Sequence, residues 1–191
     1  MSIAVAPPAR GLTAEDLLRL PDDGVERELI RGELREWGMT RRNPSHSESE
    51  ASVTAELKSW RDRQPTPRGK VVAGEASFRL SREPETFVGI DVAYVSPEMA
   101  AEHPRSRAYF DGPPVLAVEI LSPSDRHELV VEKVRVYLEV GTVVWLVDPD
   151  FRTVTVHRPG EPPVGLNDRQ ELDADPYLPG FRASVARFFG D

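Results

Sequence analysis

The sequence predicts an α/β domain in which a mixed central β-sheet is flanked by α-helices. Three observations carry that prediction. Val88 to Val95 and Val115 to Leu121 are apolar on both alternating faces, as strands covered on two sides are. Two other pairs of strand-like segments are joined by short turns and read as hairpins. Apolar residues recur at helical spacing behind Ser47 and again between Arg126 and Val140.

The elements follow in order. Thr13 with Asp16 forms an N-cap and acidic first turn, opening a helix that runs to about Leu20, where Pro21-Asp22-Asp23-Gly24 turns the chain. Val25 to Ile30 and Glu33 to Trp37 make a hairpin about Arg31-Gly32. Ser47 with Glu50 reads as a capping box for a helix carrying Val53, Leu57 and Trp60 and ending before Pro65. Strands are expected at Lys70 to Ala73, at Ala76 to Leu80 and, after a turn at Pro84, at Val88 to Val95. Ser96-Pro97-Glu98 starts a short helix with proline at its first position. Residues 101–114 are irregular, and Val115 to Leu121 follows as a central strand. Ser122-Pro123-Ser124-Asp125 then caps a helix from Arg126 to Val140, with Gly141 at its end. Val143 to Val147 and Thr153 to His157 form a hairpin about Asp148-Pro149-Asp150. Pro159 to Gly180 reads as a long surface loop, and Ala183 to Phe189 as a terminal helix.

Length and composition bound what this domain does. The 191 residues suit residues 12–191 as one domain behind a flexible tail, residues 1–11. The absence of cysteine excludes a disulfide scaffold, a thiol nucleophile and a cysteine-built metal site. No apolar run reaches the ~20 residues that span a bilayer. The N-terminus lacks the basic region and apolar length of a signal peptide, so a cytoplasmic protein without membrane contact is expected. The net charge of −8 argues against nucleic-acid binding over the whole surface. Lysine occurs only at 58, 70 and 133, so each lysine's position carries information.

Two carboxylates stand where apolar residues belong. Asp91 lies inside Val88 to Val95 and Glu119 inside Val115 to Leu121. A buried, unpaired carboxylate costs several kcal/mol or shifts its pKa until it is neutral. A divalent metal compensates such a group; so does an arginine partner, or a place at a wet strand end. On a helical wheel Lys133 falls within the apolar arc, between Val140 and Tyr137. It either snorkels to water or delivers an ammonium to the carboxylates. Glu28 alternates with Leu29, which by periodicity alone makes it a surface acid. The four histidines (His46, His103, His127 and His157) show no HxxxH or HxH spacing, so a histidine-built zinc site is not indicated. Walker, GxGxxG and GxSxG motifs are absent, and Ser122 and Ser124 have no evident base.

From Thr13 to Phe189 the sequence resembles the Uma-two family, restriction-endonuclease-like proteins of the PD-(D/E)XK nuclease superfamily common in bacteria. The likeness is carried by Ala117-Val118-Glu119-Ile120-Leu121-Ser122-Pro123-Ser124-Asp125, then Lys133, Tyr137, Gly141 and Val144-Trp145-Leu146-Val147-Asp148-Pro149. Glu28-Leu29-Ile30 with Gly32-Glu33, His46, Asp91-Val92 and Leu178-Pro179-Gly180-Phe181 support it. The resemblance implies a restriction-endonuclease-like fold and Mg2+-dependent hydrolysis of DNA phosphodiesters, with Mn2+ as a substitute ion. It implies Asp91, Glu119 and the Leu121 carbonyl as metal ligands and Lys133 and Glu28 as further catalytic groups; a homodimer is expected because cutting two related strands suits two-fold symmetry. The sequence departs from the superfamily pattern twice. Ile90 replaces the proline before the aspartate, and Leu121 occupies the usual lysine position. In this branch the lysine has moved to the following helix, where Lys133 matches it. An inactive binding protein on the same fold and a hydrolase of smaller phosphodiesters are the alternatives. Bases concentrate between Arg27 and Lys70, including Arg31, Arg35, Arg41, Arg42, Arg61, Arg63 and Arg68, which narrows the objection raised by the net charge.

Overall fold

The structure, a computed structural model, describes residues 11–21, 23–38, 43–104, 106–123 and 125–190. The expected tail before Gly11, Arg41, Arg42 and the Ser124 part of the predicted cap lie outside the described residues. Helix α1 (Ala14–Leu17) opens on the predicted Thr13 N-cap, which Asp16 completes as a reciprocal capping box, and is shorter than expected. Strands β1 (Val25–Ile30) and β2 (Glu33–Gly38) turn through Arg31 and Gly32, with φ of 51° and 81°. Two left-handed residues in succession give the turn whose twist suits a two-residue hairpin.

Helix α2 (Pro44–Asp62) starts earlier than Ser47. Asn43 is its cap, accepting the His46 amide at 2.7 Å, and Pro44 takes the first position. His46 is therefore in the first turn of the helix, not before it. Strands β3 (Lys70–Arg82) and β4 (Glu85–Val95) form one long hairpin about Pro84. The break expected between Ala73 and Ala76 is a β-bulge instead of a strand end. Ala73 pairs with Val92 and Ala76 with Ile90, so Gly74 and Glu75 together stand across from Asp91.

Helix α3 (Pro97–Glu102) has Ser96 as its predicted cap, and β5 (Phe110–Asp111) adds a short strand beside β3. Strand β6 (Leu116–Ile120) leads to α4 (His127–Glu139). Asp125 does not cap α4: its carboxylate accepts from the Ser122 amide at 2.8 Å and leaves Arg126 in the cap position. Strands β7 (Val143–Asp148) and β8 (Thr153–His157) form the predicted hairpin.

The C-terminal fifth departs most from expectation. The supposed surface loop contains β9 (Val164–Asn167) and β10 (Glu171–Asp173), and it buries Leu172, Ala174 and Leu178. The supposed terminal helix is β11 (Arg182–Ser184), paired with β10, followed by a 3₁₀ turn at Val185–Phe189. A short apolar run has no intrinsic preference between strand and helix. Here the strand pairing between 171–173 and 182–184 decides it.

The main sheet runs β2-β1-β4-β6-β7-β8-β9, with β3 also on β4. Among the described residues only β6–β7 and β3–β5 are parallel, so the sheet is mixed. On one face α2 and the C-terminal segment cover Val118, Trp145 and Val156. On the other, α4 covers Ala117 and Val144 through Val134 and Tyr137. Among the described residues no helix is long and apolar enough to cross a membrane.

Candidate active site

The site lies where β4 changes partner. β3 occupies one edge of β4 along its length, so β1 and β6 share the other. β1 meets β4 at Leu29↔Phe87, and β6 meets it at Val92 to Tyr94. Between those contacts, side-chain carboxylates take the place of a ladder. Glu28 Oε1 accepts the Gly89 amide at 2.9 Å, and Asp91 Oδ2 accepts the Ile120 amide at 2.8 Å. Buried amides need acceptors, so the parting of the sheet fixes both acids in place.

Glu119 reaches the site by period-two geometry: Leu116, Val118 and Ile120 face α2, while Ala117 and Glu119 face α4. On α4, Lys133 and Tyr137 are four residues apart and share one side of the helix. Lys133 Nζ lies 2.9 Å from Glu28 Oε1 and 3.1 Å from Glu119 Oε2. The fully buried Tyr137 donates its hydroxyl to Glu119 Oε1 at 2.6 Å. The ammonium is thus delivered to the carboxylates and does not snorkel to water.

Burial dominates the electrostatics. It pushes the Glu119 carboxyl up to about 8, against the pull of Lys133 and with the help of Asp91, Glu75 and Glu28. Burial likewise raises Glu28, opposed by Lys133 and the Gly89 amide. It works against the charged form of Lys133, but Glu119 and Glu28 outweigh it and hold the ammonium well above its usual range. The Tyr137 phenol is held well up by burial and by Glu119, so it remains a donor.

Glu28, Asp91, Glu119, Leu121 and Lys133 all line one pocket of about 510 Å³. Glu28 is only 5% exposed, which corrects the surface reading. Its neighbour Leu29 is buried too, under α1, so this hairpin has no wet face near its end. Leu121 lies just past β6, its amide bonded to the Val147 carbonyl at 2.8 Å.

Sequence reasoning missed three acids and left one histidine without a role. Glu26, Glu75 and Glu132 also line the pocket. Both residues of the β3 bulge are left-handed, Gly74 with φ of 81° and Glu75 with φ of 57°, and the Glu75 carboxylate lies over Gly89. A Cβ built on Gly89 would stand 2.5 Å from Glu75 Oε2, so glycine is what admits that carboxylate. The Gly74-Glu75 pair was the available signal, and it reads equally well as a turn. His46, 5% exposed, lines the pocket from α2. Its Nε2 is 3.5 Å from Asp91 Oδ1, and donor atoms of His46, Glu50 and Asp91 lie within 4.8 Å of one another.

Several of the bases concentrated between Arg27 and Lys70 are engaged by carboxylates. Arg27 pairs with Asp23 and Glu36, Arg31 with Glu139, Arg35 with Glu132 and Glu33, and Arg61 with Asp62. Carboxylates in the pocket lining (Glu26, Glu28, Glu75, Asp91, Glu119, Asp125, Glu132) outnumber Arg35, Arg126 and Lys133. A polyanion entering such a pocket needs cations to offset that charge. The donor set, two or three carboxylates and an imidazole, suits a divalent metal.

A mixed sheet that parts around an aspartate, with the next strand's glutamate and a helix lysine closing on it, defines a restriction-endonuclease-like α/β domain. The model of the Uma2 family, described as "Putative restriction endonuclease", matches residues 14–186, and the chain belongs to that family. A solved structure described as "a putative nuclease belonging to DUF820 from Anabaena variabilis" superposes with a TM-score of 0.76. It is 20% identical in sequence, and the match covers 94% of this chain and 98% of that one. At that identity the likeness establishes the fold alone. No curated protein matches the chain.

Proposed function

We propose that the protein is a divalent-metal-dependent endonuclease that hydrolyses DNA phosphodiester bonds in the cytoplasm. The convergence of Glu28, Asp91, Glu119 and Lys133 on one pocket is the observation that supports this reading best. Asp91, Glu119 and the Leu121 carbonyl would hold Mg2+, or Mn2+ in its place. The ion, when bound, would polarise a phosphate oxygen and lower the pKa of a water.

The chain's own groups do the rest. Asp91 is held by the Ile120 amide, so its carboxylate is oriented before any ligand arrives. Lys133, fixed by Glu28, presents a permanent positive charge beside Glu119, where charge on a phosphate would develop. Glu28, with its raised pKa, keeps Lys133 in position and is placed to accept a proton. A homodimer would match the two-fold relation of the two strands being cut.

Incubation of supercoiled plasmid with Mg2+ and either the protein or Glu119→Ala tests this reading. Nicking or linearisation by the wild type alone is expected. Equal cleavage by both would remove Glu119 from the mechanism. A second reading, an inactive binding protein, draws on the fact that both Glu119 oxygens are engaged, by Lys133 and Tyr137. Calorimetry separates the two: the nuclease binds Mg2+ or Mn2+ and loses it in Asp91→Ala, and the inactive protein binds neither ion. Rates on duplex DNA, single strands and dinucleotides distinguish a hydrolase of smaller diesters.

A further inference from the structure

We propose that His46, Glu50 and Asp91 form a cation site of their own, on the α2 side of the pocket, selective for an imidazole-accepting divalent ion such as Mn2+ over Mg2+. The proposal rests on the nuclease reading only in sharing Asp91 with it.

Four observations build the site. His46 and Glu50 are one helical turn apart, so both project from the same side of α2. The Asn43 cap holds the His46 amide at 2.7 Å and fixes the turn that carries the imidazole. Asp91 divides its oxygens: Oδ2 is held by the Ile120 amide at 2.8 Å, while Oδ1 faces His46 Nε2 at 3.5 Å. One donor atom from each of the three residues then falls within a 4.8 Å group, and His46 and Asp91 are buried there. The 3.5 Å between His46 Nε2 and Asp91 Oδ1 is a separation that a single ion bound at about 2.0–2.2 Å bridges, and a donor at the 4.8 Å limit joins them by closing a few tenths of an ångström.

The composition of this group sets its preference. Mg2+ favours oxygen donors and keeps much of its water, whereas imidazole nitrogen suits first-row transition metals. The site is separate from the Glu119 side, because Glu119 is directed at Lys133 and Tyr137 on α4. Asp91 alone, projecting from β4 between α2 and β6, belongs to both sides. Two ions flanking one carboxylate is an arrangement suited to phosphodiester hydrolysis.

Mn2+ titration of the full chain, followed by electron paramagnetic resonance, tests the proposal. The wild type is expected to bind Mn2+ with a nitrogen coupling in the pulsed spectrum. Glu119→Gln should keep that coupling. His46→Gln should abolish it, and His46→Gln and Glu50→Gln should each weaken this Mn2+ by about tenfold or more. Glu50→Gln guards against a folding artefact at the buried histidine, and circular dichroism of each metal-free variant confirms the fold. Wild-type Mn2+ binding without nitrogen coupling, or unchanged binding in both α2 variants, overturns the site. Plasmid cleavage by Mg2+-loaded wild type under those outcomes would leave the nuclease reading standing. A nitrogen-coupled Mn2+ on a protein that cuts nothing would leave the site and remove the nuclease.

Discussion

Replacing Glu119 by glutamine should make the metal-free protein more stable in base and leave it nearly unchanged in acid. Burial holds this carboxyl at about 8 in the folded protein, against 4.5 for an ordinary glutamate. A group whose folded pKa is raised contributes stability that is complete below the unfolded pKa and is lost as pH rises through the folded one. At about 1.4 kcal/mol per pH unit, the window from 4.5 to about 8 corresponds to roughly 5 kcal/mol. Glutamine cannot ionise, keeps an acceptor for the Tyr137 hydroxyl, and leaves Lys133 paired with Glu28. Glu28 has a raised pKa of the same sign and remains in both proteins, so its own contribution is common to them, while Lys133 loses Glu119 as a partner and keeps Glu28. Urea unfolding in the presence of a chelator at pH 5, 7 and 9 measures it. The stability of Glu119→Gln relative to wild type should grow across that range, by several kcal/mol at most. Parallel pH dependences for the two proteins would refute the claim that burial, and not solvent, governs Glu119.

Other predictions test the supports of the site. Asp91→Ala leaves the buried Ile120 amide without its acceptor and should cost about 1–3 kcal/mol in urea unfolding. Asp91→Asn, which retains an acceptor oxygen, should recover most of that loss. Gly89→Ala should displace the Glu75 carboxylate at a stability cost under ~1 kcal/mol, because the far end of a flexible side chain is what gives way. A crystal structure of that variant should show Glu75 turned out of the pocket, and an unmoved Glu75 would contradict the cradle at Gly89. Beside the β1–β4 junction, hydrogen bonding to Arg79 holds Glu15 down at about 2. A lowered carboxyl contributes stability above about pH 4.5 that is lost as pH falls towards 2. Glu15→Gln should therefore flatten the acid limb of a thermal unfolding profile and leave the profile above pH 5 unchanged in slope.

Much of this fold could be read locally. Thr13 with Asp16, Ser96 with Pro97, Arg31-Gly32 and Gly141 each satisfy a backbone requirement within a few residues, and each marks the boundary it was expected to mark. Asp91 and Glu119 stood out because an acid in a doubly apolar strand is costly wherever the rest of the chain lies. Lys133 stood out for the same reason on a helix. Periodicity set each among apolar neighbours and left open a wet strand end for the acids and a snorkelling stem for the lysine; the groups they meet it did not show.

The remaining decisions belong to tertiary structure. Ser47 and Glu50 fit a capping box, yet Asn43 and Pro44 start the helix earlier, and that choice puts His46 and Glu50 on the face towards Asp91. Gly74-Glu75 fits a turn, but the long pairing of β3 with β4 carries the strand through and leaves a bulge across from Asp91. Glu28 alternates like a surface acid, and becomes a buried one because β1 meets β4 only at its end, where the Gly89 amide needs an acceptor. The sequence determined that an acidic protein would hide carboxylates and a lysine inside an α/β domain, because the cost of burying charge is visible in any strand or helix. Only the tertiary structure decided that β1 and β6 part along β4 and that α4 lays Lys133 across the gap. Those are contacts between residues dozens of positions apart, which no local propensity encodes.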